Sequence, residues 1–70
     1  MKYIATFACR KLGAIGVPGT ERVDVPFESN EQTVTKQREA AWAALRANAD
    51  HYYATHEHFT GPVRIESVKP

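Results

Sequence analysis

The stretch from Asn30 to about Tyr53, NEQTVTKQREAAWAALRANADHYY, is the one segment long and periodic enough to dictate what the rest of the chain must cover. Val34, Ala41, Leu45, Ala49 and Tyr52 recur at steps of three, four or seven, which places them on one face of a helix, with Trp42 on its flank. Lys36, Glu39, Arg46 and Asp50 fall on the opposite face and read as solvated surface. Ser29 has the chemistry of an N-cap, and Gln32 can reach back to complete a capping box, so the helix is expected to begin at Asn30. Helix propensity alone explains the run AAWAALRANA. The sharper alternative is that Ala40, Ala43, Ala44 and Ala47 form a smooth exposed ridge on which a second helix packs.

A one-sided helix needs an apolar sheet beneath it, and three segments have the alternation to supply one. In residues 2–10, KYIATFACR, Tyr3, Ala5, Phe7 and Cys9 point one way and Lys2, Ile4, Thr6, Ala8 and Arg10 the other. The first set is assigned to the helix side, because the second starts and ends with charge. In residues 20–28, Val23, Val25 and Phe27 alternate with Arg22, Asp24, Pro26 and Glu28. Pro26 has no N–H to give to a ladder, which puts this strand at a sheet edge.

Between them, VPGT is a turn signal, with proline and glycine at its two central positions. A hairpin closed there sets Val17 opposite Thr20 and brings Val23, Val25 and Phe27 to the side of Arg10, Leu12 and Ala14. Placing them beside Phe7 and Cys9 requires either a bulge at Gly13 or Gly16 or an open loop over residues 12–19. In both cases Leu12, Ile15 and Val17 sit near a tip. Either the tip curls so that one of them caps the core, or LGAIGV is a partner-binding knob flanked by Arg10, Lys11 and Arg22.

After the helix, ATHEHFTGP reads as a loop stopped by Gly61 and Pro62, and a last strand runs from Pro62 to about Val68 with Val63 and Ile65 inward. The order strand, strand, helix, strand makes the third strand parallel to the second. With both flanking the first, the fold is α+β, ββαβ, a three-stranded antiparallel/mixed sheet of order 2-1-3 with one helix on one face.

Seventy residues make a single domain with a marginal core, so a partner or a homodimer would add noticeably to stability. At 43% hydrophobic and 24% charged the chain is globular, and a net charge of +1 excludes a strongly electrostatic nucleic-acid binder. Cys9 is the only cysteine, so no internal disulfide framework exists, which fits a cytoplasmic location. Its position in an apolar strand makes it a small buried hydrophobe rather than a reactive thiol. The longest N-terminal apolar run, IATFAC, is too short for a signal peptide or a membrane span.

The only cluster of ligand-type residues is His51, His56 and His58, with Glu57 between the last two. His56 and His58 would turn both rings to one side of an extended segment, as a metal requires, but the four-ligand spacing of a structural zinc site is missing. No metal or cofactor is expected. Tyr53 and Phe59 are assigned to covering the sheet end and Tyr52 to closing the core. The wet sheet face would show Lys2, Thr6, Arg10, Arg22, Asp24, Glu28, Arg64 and Glu66 as mixed-sign pairs, without the exposed aromatic rings of a single-stranded RNA binder. No nucleophile with a neighbouring base, phosphate loop or carboxylate pair can be assigned, so catalysis is not expected.

The segment KLGAIG, followed by a valine-alternating strand and an alanine-rich helix, resembles a loose group of small, mostly uncharacterised phage- and prophage-encoded proteins. The resemblance spans roughly residues 1 to 50 and rests on Gly13-Ala14-Ile15-Gly16. It implies no defined activity, but docking on a host protein as a modulator or inhibitor fits an apolar knob on a small scaffold. The expected function is therefore a non-enzymatic protein-interaction module using Arg10, Lys11, Leu12, Ile15, Val17 and Arg22. The competing expectation is a nucleic-acid-binding accessory domain using Arg10, Lys11, Arg22 and Arg64.

Overall fold

The computed structural model describes residues 1 to 17 and 19 to 68. Three strands, β1 (Lys2–Lys11), β2 (Glu21–Glu28) and β3 (His56–Ser67), form one antiparallel sheet in the order β2-β1-β3, with a helix on one face. The expected ββαβ order and α+β class hold. No helix among the described residues is long and apolar enough to cross a membrane.

β1 and β2 pair without interruption from Lys2 opposite Glu28 to Cys9 opposite Glu21. This register puts Val23 opposite Phe7 and Val25 opposite Ala5, and it needs no bulge. The open-loop alternative is therefore the one realised, and the tight hairpin at VPGT is not; Pro18 itself lies outside the described residues. Met1 and Ser29 exchange both backbone hydrogen bonds, at 3.1 and 3.0 Å. An antiparallel ladder alternates bonded and non-bonded pairs, so the odd-numbered residues of β1 bond to β2 and Ile4 faces Pro26 in a non-bonded pair. The nitrogen of Pro26 thus points to the open edge, where its missing N–H costs nothing.

On the other side Val68 N–H donates to the Lys2 carbonyl at 2.8 Å, so the even-numbered residues of β1 bond to β3. Pairing is regular from Tyr3 opposite Ser67 to Thr6 opposite Arg64, then slips twice, leaving Ala8 opposite Thr60 and Arg10 opposite Glu57. Gly61 and Pro62 do not end a loop, as their composition suggested; they form an irregularity inside a strand that starts six residues earlier than expected, at His56. His58 sits in the second slip with φ 56, a left-handed conformation that histidine tolerates better than most side chains.

The helical stretch is shorter than its periodicity suggested and broken once. α1 runs Val34–Ala47 and a single turn, α2, runs Ala49–Tyr52. Asn48 divides them: its side chain donates to the Ala44 carbonyl at 3.3 Å, the competition with helical backbone bonding that makes asparagine a poor interior residue. The N-cap is Thr33, whose Oγ1 accepts from Lys36 N–H at 3.3 Å, and not Ser29, whose Oγ accepts from Glu31 N–H in a separate turn.

The core is Ala5, Phe7, Cys9, Val25, Phe27, Ala41, Leu45 and Phe59, with Tyr3, Val23, Trp42, Tyr52 and Ile65 packed against it. Full burial of side chains such as Phe7, Val25 and Leu45 contributes about 1.5–3 kcal/mol each. The predicted strand faces hold for β1 and β2. Two inward assignments fail. Val34 is exposed in the first helical turn, and Val63 is exposed because the irregularity at Gly61 re-aims it while Pro62 takes the buried position. Ala40 and Ala44 pack on the core rather than forming an exposed ridge.

Candidate functional site

The segment between β1 and β2 is the most conspicuous surface feature. Leu12, Ile15 and Val17 are 55%, 103% and 75% exposed, so the expectation that one of them caps the core is not met. They cannot reach it, since the chain leaves the sheet at Lys11 and returns only at Glu21.

The loop is nevertheless braced at both ends. Leu12 N–H donates to the Thr55 carbonyl at 2.9 Å, Ala14 N–H to the Lys11 carbonyl at 3.0 Å, and Gly19 N–H to the Cys9 carbonyl at 3.1 Å. Gly13 and Gly19 have φ of 79° and 97°, positions where a side chain would be strained. Two arginines complete the brace. Arg10 Nη1 reaches the Gly16 carbonyl at 3.4 Å, and Arg22 Nη1 donates to the carbonyls of Gly19 and, at 3.1 Å, Glu21.

Arg10 is also ion-paired through Nη2 with Glu57 of β3, both side chains being mostly buried, at 22% and 27% exposure. The hydrogen bond from Arg10 holds the Glu57 carboxyl below its ordinary value of 4.5, with the Arg10 and His58 charges acting in the same direction. Sequence reasoning places Arg10 on the surface beside the loop and Glu57 among the histidines; it misses their pairing, because the segment 56–61 does not read as a strand.

The open face of the sheet is drier at its centre than alternation suggested. Thr6 and Ala8 are each 6% exposed: Thr6 Oγ1 donates to Asp24 Oδ1 at 2.8 Å, and neighbours on both outer strands stand over the central one. Arg64 and Glu66 pair with each other at 3.3 Å and are 62% and 61% exposed. Of the four basic candidates for phosphate contact, Lys11 and Arg22 lie exposed at the loop, whereas Arg10 and Arg64 each sit against a carboxylate. The ring of Tyr3 stacks on Phe27 at 5.4 Å between centroids and that of Phe7 meets Trp42 edge-on at 4.8 Å, both on the helix side.

The histidines do not converge. His56 is half-buried, bonded through Nδ1 to Thr55 Oγ1 at 2.8 Å, whereas His58 is exposed, with Nε2 3.5 Å from Glu57. The left-handed backbone at His58 breaks the alternation that would have aimed both rings together. Among the described residues no group of three or more His, Cys, Asp or Glu is placed to hold a metal ion. Tyr53 and Phe59 cover the sheet end, with ring centroids 4.9 Å apart. Cys9 is a buried free thiol whose pKa is raised by desolvation first and by Glu21 second, with Arg22 opposing.

Neither a protein-family model, nor a curated protein, nor a solved structure matches this chain.

Proposed function

We propose that the chain is a non-catalytic protein-interaction module that docks through the segment from Arg10 to Arg22. The observation that carries this reading is the complete exposure of Ile15, at 103%, on a loop that also exposes Leu12 and Val17. Burying one such side chain in a partner pocket is worth about 1.5–3 kcal/mol, enough for three of them to form a small hot spot. The brace from Arg10, Arg22 and the backbone bonds lowers the ordering cost of binding, because the loop is held before the partner arrives. The resemblance to phage-encoded proteins gives the reading its biological sense, a modulator or inhibitor of a host protein acting in the cytoplasm.

The nucleic-acid reading draws less support, since two of its four basic residues are already occupied by carboxylates. Ile15→Glu separates the possibilities. The variant is expected to keep the wild-type melting temperature, because exposed substitutions usually change stability by no more than about 0.5 kcal/mol. It is expected to lose a partner that the wild type retains from host lysate after nuclease treatment. Unfolding of the variant, undiminished capture, or disappearance of every wild-type partner with nuclease would each refute the docking role.

A further inference from the structure

The two edges of the sheet are not equivalent. β2 carries Pro26 in mid-strand with its nitrogen facing outward, which interrupts any strand laid alongside. The β3 edge is interrupted at its middle, because Pro62 has no N–H to offer and the carbonyls of Gly61 and Pro62 accept from Trp42 Nε1 at 2.8 Å and Arg38 Nη1 at 2.7 Å. The longest stretch of regular strand at this edge is the second half of β3. Ile65 and Ser67 face Ala5 and Tyr3 in non-bonded pairs, so their N–H and C=O groups point away from the sheet. A shallow groove lined by Val34, Gln37, Pro62, Val63 and Ile65 runs beside them, and Val34 and Val63 are 68% and 57% exposed.

From this geometry we infer that the occupant of the edge is a second copy of the same chain, pairing β3 antiparallel to β3 about a two-fold axis at Ile65. The charges select both partner and register. With Ile65 opposite its own copy, the two exchange backbone hydrogen bonds, and Arg64 of each copy stands opposite Glu66 of the other, twice by symmetry. Moving the axis one residue either way sets Arg64 against Arg64 or Glu66 against Glu66. Only one short register is self-complementary. In the isolated chain the same two side chains pair with each other, at 3.3 Å, and remain exposed, so exchanging them for the partner's buries no new unpaired charge. A six-stranded sheet results, and Val34 and Val63 lie next to the new seam.

Charge reversal tests this on the full chain by sedimentation equilibrium at up to about 1 mM protein. Wild type is expected to dimerise, and Arg64→Glu or Glu66→Arg alone is expected to weaken self-association by about tenfold or more, since each sets like charges opposite twice. Mixing the two variants restores complementarity at both positions and is expected to return the dimer as a one-to-one heterodimer. Both sites are exposed, so at dilutions where the wild type is monomeric the variants should melt as it does, and a far-UV spectrum checks that they fold. A wild type that stays monomeric throughout, single variants that dimerise unchanged, or a mixture that fails to associate would each overturn the inference.

Discussion

Trp42 concentrates more of the fold in one side chain than any other residue. Its ring meets Phe7 edge-on, its Nε1–H donates to the Gly61 carbonyl at 2.8 Å, and the Arg46 guanidinium lies 5.6 Å over its face. The periodicity of the helix placed it on the flank correctly. The hydrogen bond could not be read from the sequence, because the Gly61 carbonyl is freed for it only by the irregularity in β3. The two contributions separate by substitution. Trp42→Phe keeps an aromatic ring and removes the donor, and should cost about 1 kcal/mol. Trp42→Ala also removes the ring, and should cost about 3 kcal/mol or more, a large share of the stability of a domain this size. Urea titrations of the three proteins measure both steps, and an unshifted midpoint for Trp42→Ala would show that the ring does not prop the core.

At the scale of elements, faces were legible and boundaries were not. Alternation in β1 and β2 and the position of Pro26 fixed which side is dry and which strand is an edge, because burial and proline chemistry act residue by residue. The helix start was misplaced for a longer-range reason. Ser29 has the right side chain for a cap, but its backbone is still bonded to Met1 at the end of the ladder, so the chain cannot turn into a helix there. The helix starts four residues further on, where Thr33 caps it. Thr33→Ala should therefore cost about 1 kcal/mol and Ser29→Ala only a few tenths, measured as shifts in thermal unfolding. The reverse order would return the cap to Ser29. The same logic explains β3: glycine and proline were read as punctuation, yet an edge strand absorbs both by slipping register, and no local signal distinguishes a loop from a bulged strand.

The molecule as a whole is less compact than its mass requires. Its Cα radius of gyration is 12.2 Å, against about 11 Å expected for 70 residues, and its extents are 38 × 21 × 21 Å. Its surface, 4878 Å², exceeds the roughly 4,400 Å² of a typical monomer of 7.8 kDa. Selection for stability alone would not leave a braced, apolar loop standing off so small a core. Replacing residues 12 to 18 by a two-residue Asn-Gly turn would set Lys11 opposite Gly19, which extends the β1-β2 register beyond the Cys9-Glu21 pair at which it now ends. Closing a shorter loop recovers about 1 kcal/mol of chain entropy, which together with the backbone bonds of the new Lys11-Gly19 pair offsets the hydrogen bonds lost with Leu12, Ala14 and Gly16. The shortened chain should thus unfold within about 1 kcal/mol of the wild type while its radius of gyration in solution falls. Its proposed self-association should persist, because Ile65 pairs with Ala5, about 20 Å along β1 from Lys11. Collapse of the shortened chain would make the loop part of the fold itself, whereas retention of fold and dimer with loss of partner capture would show that two separate surfaces on one small sheet do two separate things.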